Sequence, residues 1–113
     1  MRREAAAYLS DIIEASEAID DVLRGIDLDT YKITRPIRSA VEREFIIIGE
    51  AVRLLGQVDP GLFHQVSNAR MIIGFRNILT HDYAAIDDET VFGFATADVA
   101  QLKRECVALL GER

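Results

Sequence analysis

Apolar residues recur three or four positions apart between about Arg3 and Arg24, which is the spacing of an amphipathic helix. The stripe consists of Tyr8, Ile12, Ala15, Ile19, Val22 and Leu23. Gly25 follows the last periodic position, and glycine is a common residue at the end of a helix. We therefore expect a first long helix that buries one face.

A second apolar pattern starts at Thr34 and runs to about Leu55, with Pro36 in the first turn, where its missing N–H costs little. The main stripe is Val41, Phe45, Ile48, Val52 and Leu55, widened by Ile46, Ile47 and Ala51. A helix that is apolar over more than one face must be covered on more than one side, so we expect burial against another subunit. Gly49 in the interior costs about 1 kcal/mol relative to Ala, which indicates a close helix crossing.

The rest of the chain predicts three further helices and two single helical turns. The helices are expected at 68–80, 87–94 and 99–110, and the turns at 27–31 and 62–66. Ser67 or Asn68 is expected to cap the first of these helices. No segment alternates as a strand would, so the fold class is all-α. We predict an antiparallel bundle of about four to five helices in one domain, residues 1–113.

The composition is that of an ordered globular domain. Half of the 113 residues are hydrophobic and only 2 are proline, which argues against disorder. The single cysteine, Cys106, excludes an intramolecular disulfide and fits a reducing compartment. There is no signal-peptide pattern, and the apolar runs are shorter than a membrane span, so we expect a soluble cytoplasmic protein.

Segment 74–83 carries an arginine, an amide, an imidazole and a phenol directly after the apolar run 71–73. On a helix Asn77 and His81 lie on one stripe, whereas Arg76 and His81 are separated by roughly 140° around the axis. Arginine is long, but convergence of these two side chains on one phosphate is easier if a second subunit supplies a facing copy of the segment.

These groups suit cleavage of an RNA phosphodiester without a metal or another cofactor. The 2′-hydroxyl of RNA is a built-in nucleophile, His81 can take or give a proton, and Arg76 can stabilise negative charge on the phosphoryl oxygens. Asn77 could hold the imidazole in a useful tautomer. Alternatives remain open: His81 as a capping or packing residue, Arg76 in a surface ion pair, and Tyr83 as a packing residue with a solvated hydroxyl.

The net charge of −6 argues on its own against a nucleic-acid partner, but the charge is unevenly distributed. Residues 1–29 carry 3 basic and 8 acidic groups, residues 30–81 carry 7 and 4, and residues 82–113 carry 3 and 7. The positive segment ends with the polar cluster, which is compatible both with a locally basic, salt-sensitive RNA cleft and with ordinary helix-surface charge. The candidate auxiliary phosphate contacts are Arg35, Arg38 and Arg43, with an ordinary solvated surface as the alternative.

The pattern R-N-x-x-x-H-x-Y, formed by Arg76, Asn77, His81 and Tyr83, resembles the signature of HEPN-domain ribonucleases, in particular the HepT-like toxins. The block 47–51 also resembles that family, and the resemblance covers essentially the whole chain. It implies an all-helical homodimer whose paired motifs line a cleft, with Arg76 and His81 as the catalytic pair and Asn77 in support. Glu50, within the upstream block, could orient a motif side chain across the interface or could simply be exposed.

The same resemblance implies a genomically adjacent nucleotidyltransferase antitoxin, which in some systems silences the toxin by attaching AMP to the motif tyrosine, here Tyr83. The RNA substrate stays open between tRNA and mRNA. The alternative hypothesis is a non-catalytic helical binding module, or an antitoxin partner of a nucleotidyltransferase. The intact pair of Arg76 and His81 favours the ribonuclease, because a binding module does not need it.

Overall fold

The structure is a computed structural model, and it describes residues 3–111. In this part of the chain it contains seven α-helices, one 3₁₀ turn and no strand. The elements are α1 (Ala5–Leu23), α2 (Leu28–Ile33), α3 (Arg35–Val58), α4 (Pro60–Gln65), α5 (Ala69–His81), the 3₁₀ turn (Tyr83–Ala85), α6 (Asp88–Ala97) and α7 (Val99–Gly111). The predicted all-α fold is confirmed. The five longer helices are the expected ones, and the six-residue helices α2 and α4 stand where single turns were expected.

The longest helix, α3, makes the most extensive contacts of the fold, first with α1 and then with α5, while α7 packs along α1. The apolar side chains that these helices bury completely include Leu9, Ile12, Ile19, Val41, Ile48, Val52, Leu55 and Cys106. Burial raises the pKa of the Cys106 thiol to about 12, as expected of a packing residue. Among residues 3–111, none of the helices combines the length and the hydropathy of a membrane-spanning segment.

The wide apolar face of α3 is covered largely within one chain. Ala51 is buried, and Ile46 and Ile47 are half-buried against the core, because α1 and α5 both pack along this helix. The breadth of the apolar pattern therefore does not by itself require a second subunit. It reflects the central position of α3 between elements of the same chain.

The start of α5 differs from the predicted side-chain cap. Asn68 occupies the N-cap position with a left-handed backbone, φ 60°, and its side chain makes no capping hydrogen bond. Ser67 instead donates two hydrogen bonds to the carboxylate of Glu105 on α7. Its backbone N–H donates to Oε1 at 2.9 Å, and its hydroxyl donates to Oε2 at 2.6 Å. The carboxylate of another helix thus fixes the entry to α5, a contact that local sequence spacing could not reveal.

Aromatic rings connect α5 to the two helices that flank it. Phe75 of α5 stacks on Phe94 of α6 with centroids 5.3 Å apart, and both rings meet Phe45 of α3 edge-on, at 5.2 and 6.3 Å. Such contacts contribute beyond simple area burial. They fix the rotation of α5, and so decide which of its side chains face α3.

Candidate active site

Helix α5 places the four motif side chains in different environments. Arg76 is in the body of the helix, with its side chain only 23% exposed, and it faces α3. Asn77 is exposed beside it, and His81 is the last residue of the helix and also exposed. Tyr83, in the 3₁₀ turn, is 77% exposed. The motif therefore runs from a half-buried guanidinium to a solvent-facing phenol.

Two acceptors hold the Arg76 guanidinium in place. Its Nη1 donates to Oδ1 of Asn77 at 3.0 Å, and its Nη2 lies 3.1 Å from Oε2 of Glu50 on α3. The Nε atom of Arg76 is buried and has no hydrogen-bond partner among the described residues. Because this N–H is buried, an acceptor from outside, such as a phosphate oxygen, can approach Arg76 only at its two terminal nitrogens.

Glu50 is shared between Arg76 and a second arginine, Arg53, one turn further along α3. Arg53 donates to Glu50 through Nη2 to Oε1 at 2.6 Å and through Nε to Oε2 at 3.2 Å. The pKa of Glu50 is lowered, mainly by the hydrogen bonds from Arg53. Burial opposes this shift, and the positive charges of Arg53 and Arg76 add to it. Glu50 is therefore an anchored anion beside the motif arginine.

Gly49 makes room for Arg76 where α3 and α5 cross. A side chain at Gly49 would overlap Cβ of Arg76, with its own Cβ only 2.7 Å from Cγ of Arg76 and 3.3 Å from the carbonyl oxygen of Ile72. The close crossing predicted from Gly49 is thus present in the structure. It allows the Arg76 stem to lie directly on the α3 backbone, one residue before Glu50.

A cleft of about 330 Å³, hereafter the Arg76 cleft, opens between α1, α3 and this guanidinium. Its polar wall is formed by Arg3, Asp11, Arg43, Glu50 and Arg76, and its floor includes Ile46, Ile47 and Leu54. Asp11 pairs with Arg3 at 2.6 Å, so carboxylates from α1 and α3 partly balance the three arginines. The cleft is consequently less basic than the charge distribution along the sequence predicts.

Of the three auxiliary arginines, the structure places only Arg43 in the Arg76 cleft. Arg38 is engaged elsewhere: Nη1 donates to the carbonyl oxygen of Lys32 at 2.6 Å, and Nε lies 3.8 Å from Asp88. Arg35 is exposed at the first position of α3. The three side chains do not form one patch, because successive turns of α3 direct them at different neighbours.

Asn77 contacts Arg76, whereas the sequence suggested that it holds the His81 imidazole. Among residues 3–111, the side chains of His81 and Tyr83 make no hydrogen bond or ion pair, and neither residue lines the Arg76 cleft. One chain therefore brings Arg76, Asn77 and Glu50 together but leaves His81 on the outer surface. Glu50 contacts Arg76 of its own chain.

Two arginines of this region have no counterpart among the expected site residues. Arg53 follows Glu50 by three positions, which is a spacing that predicts contact on a helix and could have identified it. Arg3 comes from the start of the chain and enters the cleft only through the packing of α1, for which the sequence carries no local signal.

No group of three or more His, Cys, Asp or Glu side chains within residues 3–111 could hold a metal ion. A second, apolar cavity beneath Ser67 and Phe75 has a volume of about 20 Å³, which is room for about one water molecule.

An all-α bundle with an Arg-Asn-x-x-x-His motif on a helix, its arginine oriented by a neighbouring helix, defines the HEPN-like ribonuclease class. Residues 12–109 match the family described as "Ribonuclease HepT-like". The chain belongs to this family, which confirms the resemblance seen in the motif.

The curated relatives agree with this assignment. A candidate RNase of Methanocaldococcus jannaschii is 34% identical over 92% of this chain and 94% of its own length. A protein of Thermococcus cleftensis named as a probable ribonuclease HepT is 30% identical over 91% of this chain and 93% of its own length. No solved structure gives a significant match.

Proposed function

We propose that this chain is a metal-independent endoribonuclease, the toxin of a two-gene HEPN and nucleotidyltransferase toxin-antitoxin system. The observation that carries the proposal is the orientation of Arg76 by Asn77 and Glu50 at the edge of the Arg76 cleft. Family membership and the RNase names of the relatives support the reaction class.

The reaction follows from the chemistry of RNA. The 2′-oxygen attacks the adjacent phosphorus, the bond to the 5′-oxygen breaks, and a 2′,3′-cyclic phosphate and a free 5′-hydroxyl result. His81 takes the proton from the 2′-hydroxyl or supplies one to the leaving oxygen. Arg76 donates to the phosphoryl oxygens, whose negative charge grows in the transition state. Asn77 holds the guanidinium in position. The substrate is a tRNA or an mRNA.

The active form is a homodimer in which α5 faces α5 of a second copy. The outer face of this helix carries Met71 and Ile78, which are 47% and 43% exposed, and between them Gly74 has no atom within 4 Å of where a Cβ would lie. A facing helix could therefore approach closely. His81 lies on this same face, within about 60° of Gly74 and Ile78 around the helix axis, so the interface would include the His81 side chains of both copies, whereas Arg76 lies on the side of the helix that packs against α3.

The partner is a nucleotidyltransferase that silences the toxin by transferring AMP to Tyr83 in the cytoplasm. The exposure of Tyr83, 77%, and its position in a short 3₁₀ turn support access by a modifying enzyme. A bulky, charged nucleotide two residues from His81 would obstruct the approach of RNA.

Incubation of purified protein with tRNA and mRNA in EDTA tests the proposed reaction. We expect cleavage with cyclic phosphate ends, and a loss of about 100-fold or more in both Arg76→Ala and His81→Ala. Matched controls are Arg24→Ala and His64→Ala, which remove an exposed arginine at the C-terminal end of α1 and the other imidazole of the chain. Absence of cleavage by the wild type, or equal cleavage by all variants, would refute the ribonuclease.

A further inference from the structure

Arg53 and Arg76 both contact the carboxylate of Glu50, so Arg53 can influence how strongly Glu50 holds Arg76. Oε2 of Glu50 accepts from Nε of Arg53 at 3.2 Å and lies 3.1 Å from Nη2 of Arg76. Oε1 of Glu50 accepts only from Arg53 in the described structure, at 2.6 Å. Arg53 therefore makes the shorter and more complete pairing with Glu50.

Bidentate binding of a phosphate through Nη1 and Nη2 of Arg76 competes with the contacts of these atoms to Asn77 and Glu50, so it favours release of Nη2 from Glu50. A half-exposed carboxylate that loses its partner is destabilised, which opposes this release. While Arg53 stays paired, Glu50 remains neutralised when Arg76 leaves. Without Arg53, the whole charge of Glu50 would act on Arg76.

We propose that Arg53 is a positioning residue of the ribonuclease site, which holds Glu50 so that Arg76 is oriented before the substrate binds and is released to the phosphate. The inference rests on the proposed function for its catalytic consequence. Its structural part, the competition between Arg53 and Arg76 for Glu50, holds in the free protein. Arg53 does not line the Arg76 cleft, so it acts through Glu50 rather than on the RNA.

The first test is a double-mutant cycle on RNA cleavage. Arg53→Ala is expected to lower kcat by about two- to fivefold, since Glu50 then retains Arg76, with little change in KM. In the Glu50→Gln background the same substitution should have almost no effect, because the neutral amide does not trap the guanidinium. Arg53→Lys, which keeps a positive charge, should restore most of the rate.

Arg24 provides the matched control, because at the end of α1 it forms an ion pair of the same spacing with Asp21, at 2.8 Å. Arg24→Ala should leave the rate unchanged. An equal loss from Arg53→Ala in both Glu50 backgrounds would overturn the proposal, since a purely structural role predicts that result.

The second test needs no activity. Rotation of the Arg76 guanidinium, followed by NMR in the free protein and assigned with Arg76→Lys, should be slower in Arg53→Ala than in wild type. Unchanged or faster rotation would contradict the competition. Should the wild type cleave no RNA, the proposed function fails, and this measurement still decides whether Arg53 and Arg76 share Glu50.

Discussion

The aliphatic part of the Arg76 side chain occupies the space that a side chain at Gly49 would fill. The packing at this position serves the site directly, because the next residue, Glu50, receives the guanidinium that Gly49 admits. Local preferences alone would disfavour glycine here, since it is a poor helix former. The space that it leaves is the reason Arg76 can lie against α3 instead of pointing into solvent.

Gly49→Ala should therefore destabilise the fold and displace Arg76. We expect the free energy of unfolding to fall by about 1–3 kcal/mol, the usual effect of overpacking, together with a loss of RNA cleavage. Gly93→Ala is the matched control: this α6 glycine has nothing within 4 Å of a built Cβ, so alanine should stabilise by about 0.4–1 kcal/mol. Denaturant unfolding of both variants measures the difference, and a stabilised Gly49→Ala would disprove the close crossing.

At the scale of elements, α2, α3 and α6 meet at a polar junction. Arg38 links the carbonyl oxygen of Lys32 to Asp88, and the buried hydroxyl of Tyr31 has no partner among the described residues. Glu42 faces this junction from α3. Its burial, and then the charge of Asp88, raise the pKa of its carboxyl, while Arg38 opposes the shift. The junction anchors α6, and thereby the end of the segment that follows His81.

A raised folded-state pKa means that Glu42 favours folding when protonated. This contribution is complete below the unfolded pKa of about 4.3 and is lost as the pH rises through the folded-state value. Glu42→Gln should consequently raise the melting temperature at pH 7 by about 1–4 °C, a small effect because solvent screens this half-exposed side chain. Near pH 3.5 the two proteins should melt alike.

Thermal unfolding followed by circular dichroism at both pH values makes this comparison. Glu44→Gln on the same helix controls for the general effect of removing a carboxylate. The same gain in melting temperature at pH 3.5 and pH 7 would show that the charge of Glu42 is not the cause.

For the whole molecule, the sequence predicted the helices better than it predicted the site. Periodicity specified α1, α3 and α5 because each buries a continuous stripe. The contact of Ser67 with Glu105 and the entry of Arg3 into the Arg76 cleft join residues far apart in the chain, which no local pattern encodes. Asn77 was expected to support His81 but contacts Arg76, because the helix rotation set by Phe75 decides which neighbour it meets.

The charge of the cleft shows the same limit of sequence analysis. Segment 30–81 is basic as a sequence, yet α1 of the acidic segment 1–29 contributes Asp11 to the same wall. Three arginines and two carboxylates therefore share the Arg76 cleft. Because the charges nearly balance, electrostatic attraction of RNA to this cleft should be weak and salt-sensitive.

We propose that Arg76 of one copy of the chain and His81 of the other act on one phosphate. Co-expression of Arg76→Ala and His81→Ala chains with different tags, followed by purification of the mixed dimer, tests it most directly. Each homodimer should be inactive, whereas the mixed dimer retains one intact pair and should recover about half of the wild-type cleavage rate. A mixed dimer as inactive as the two homodimers would contradict the shared site.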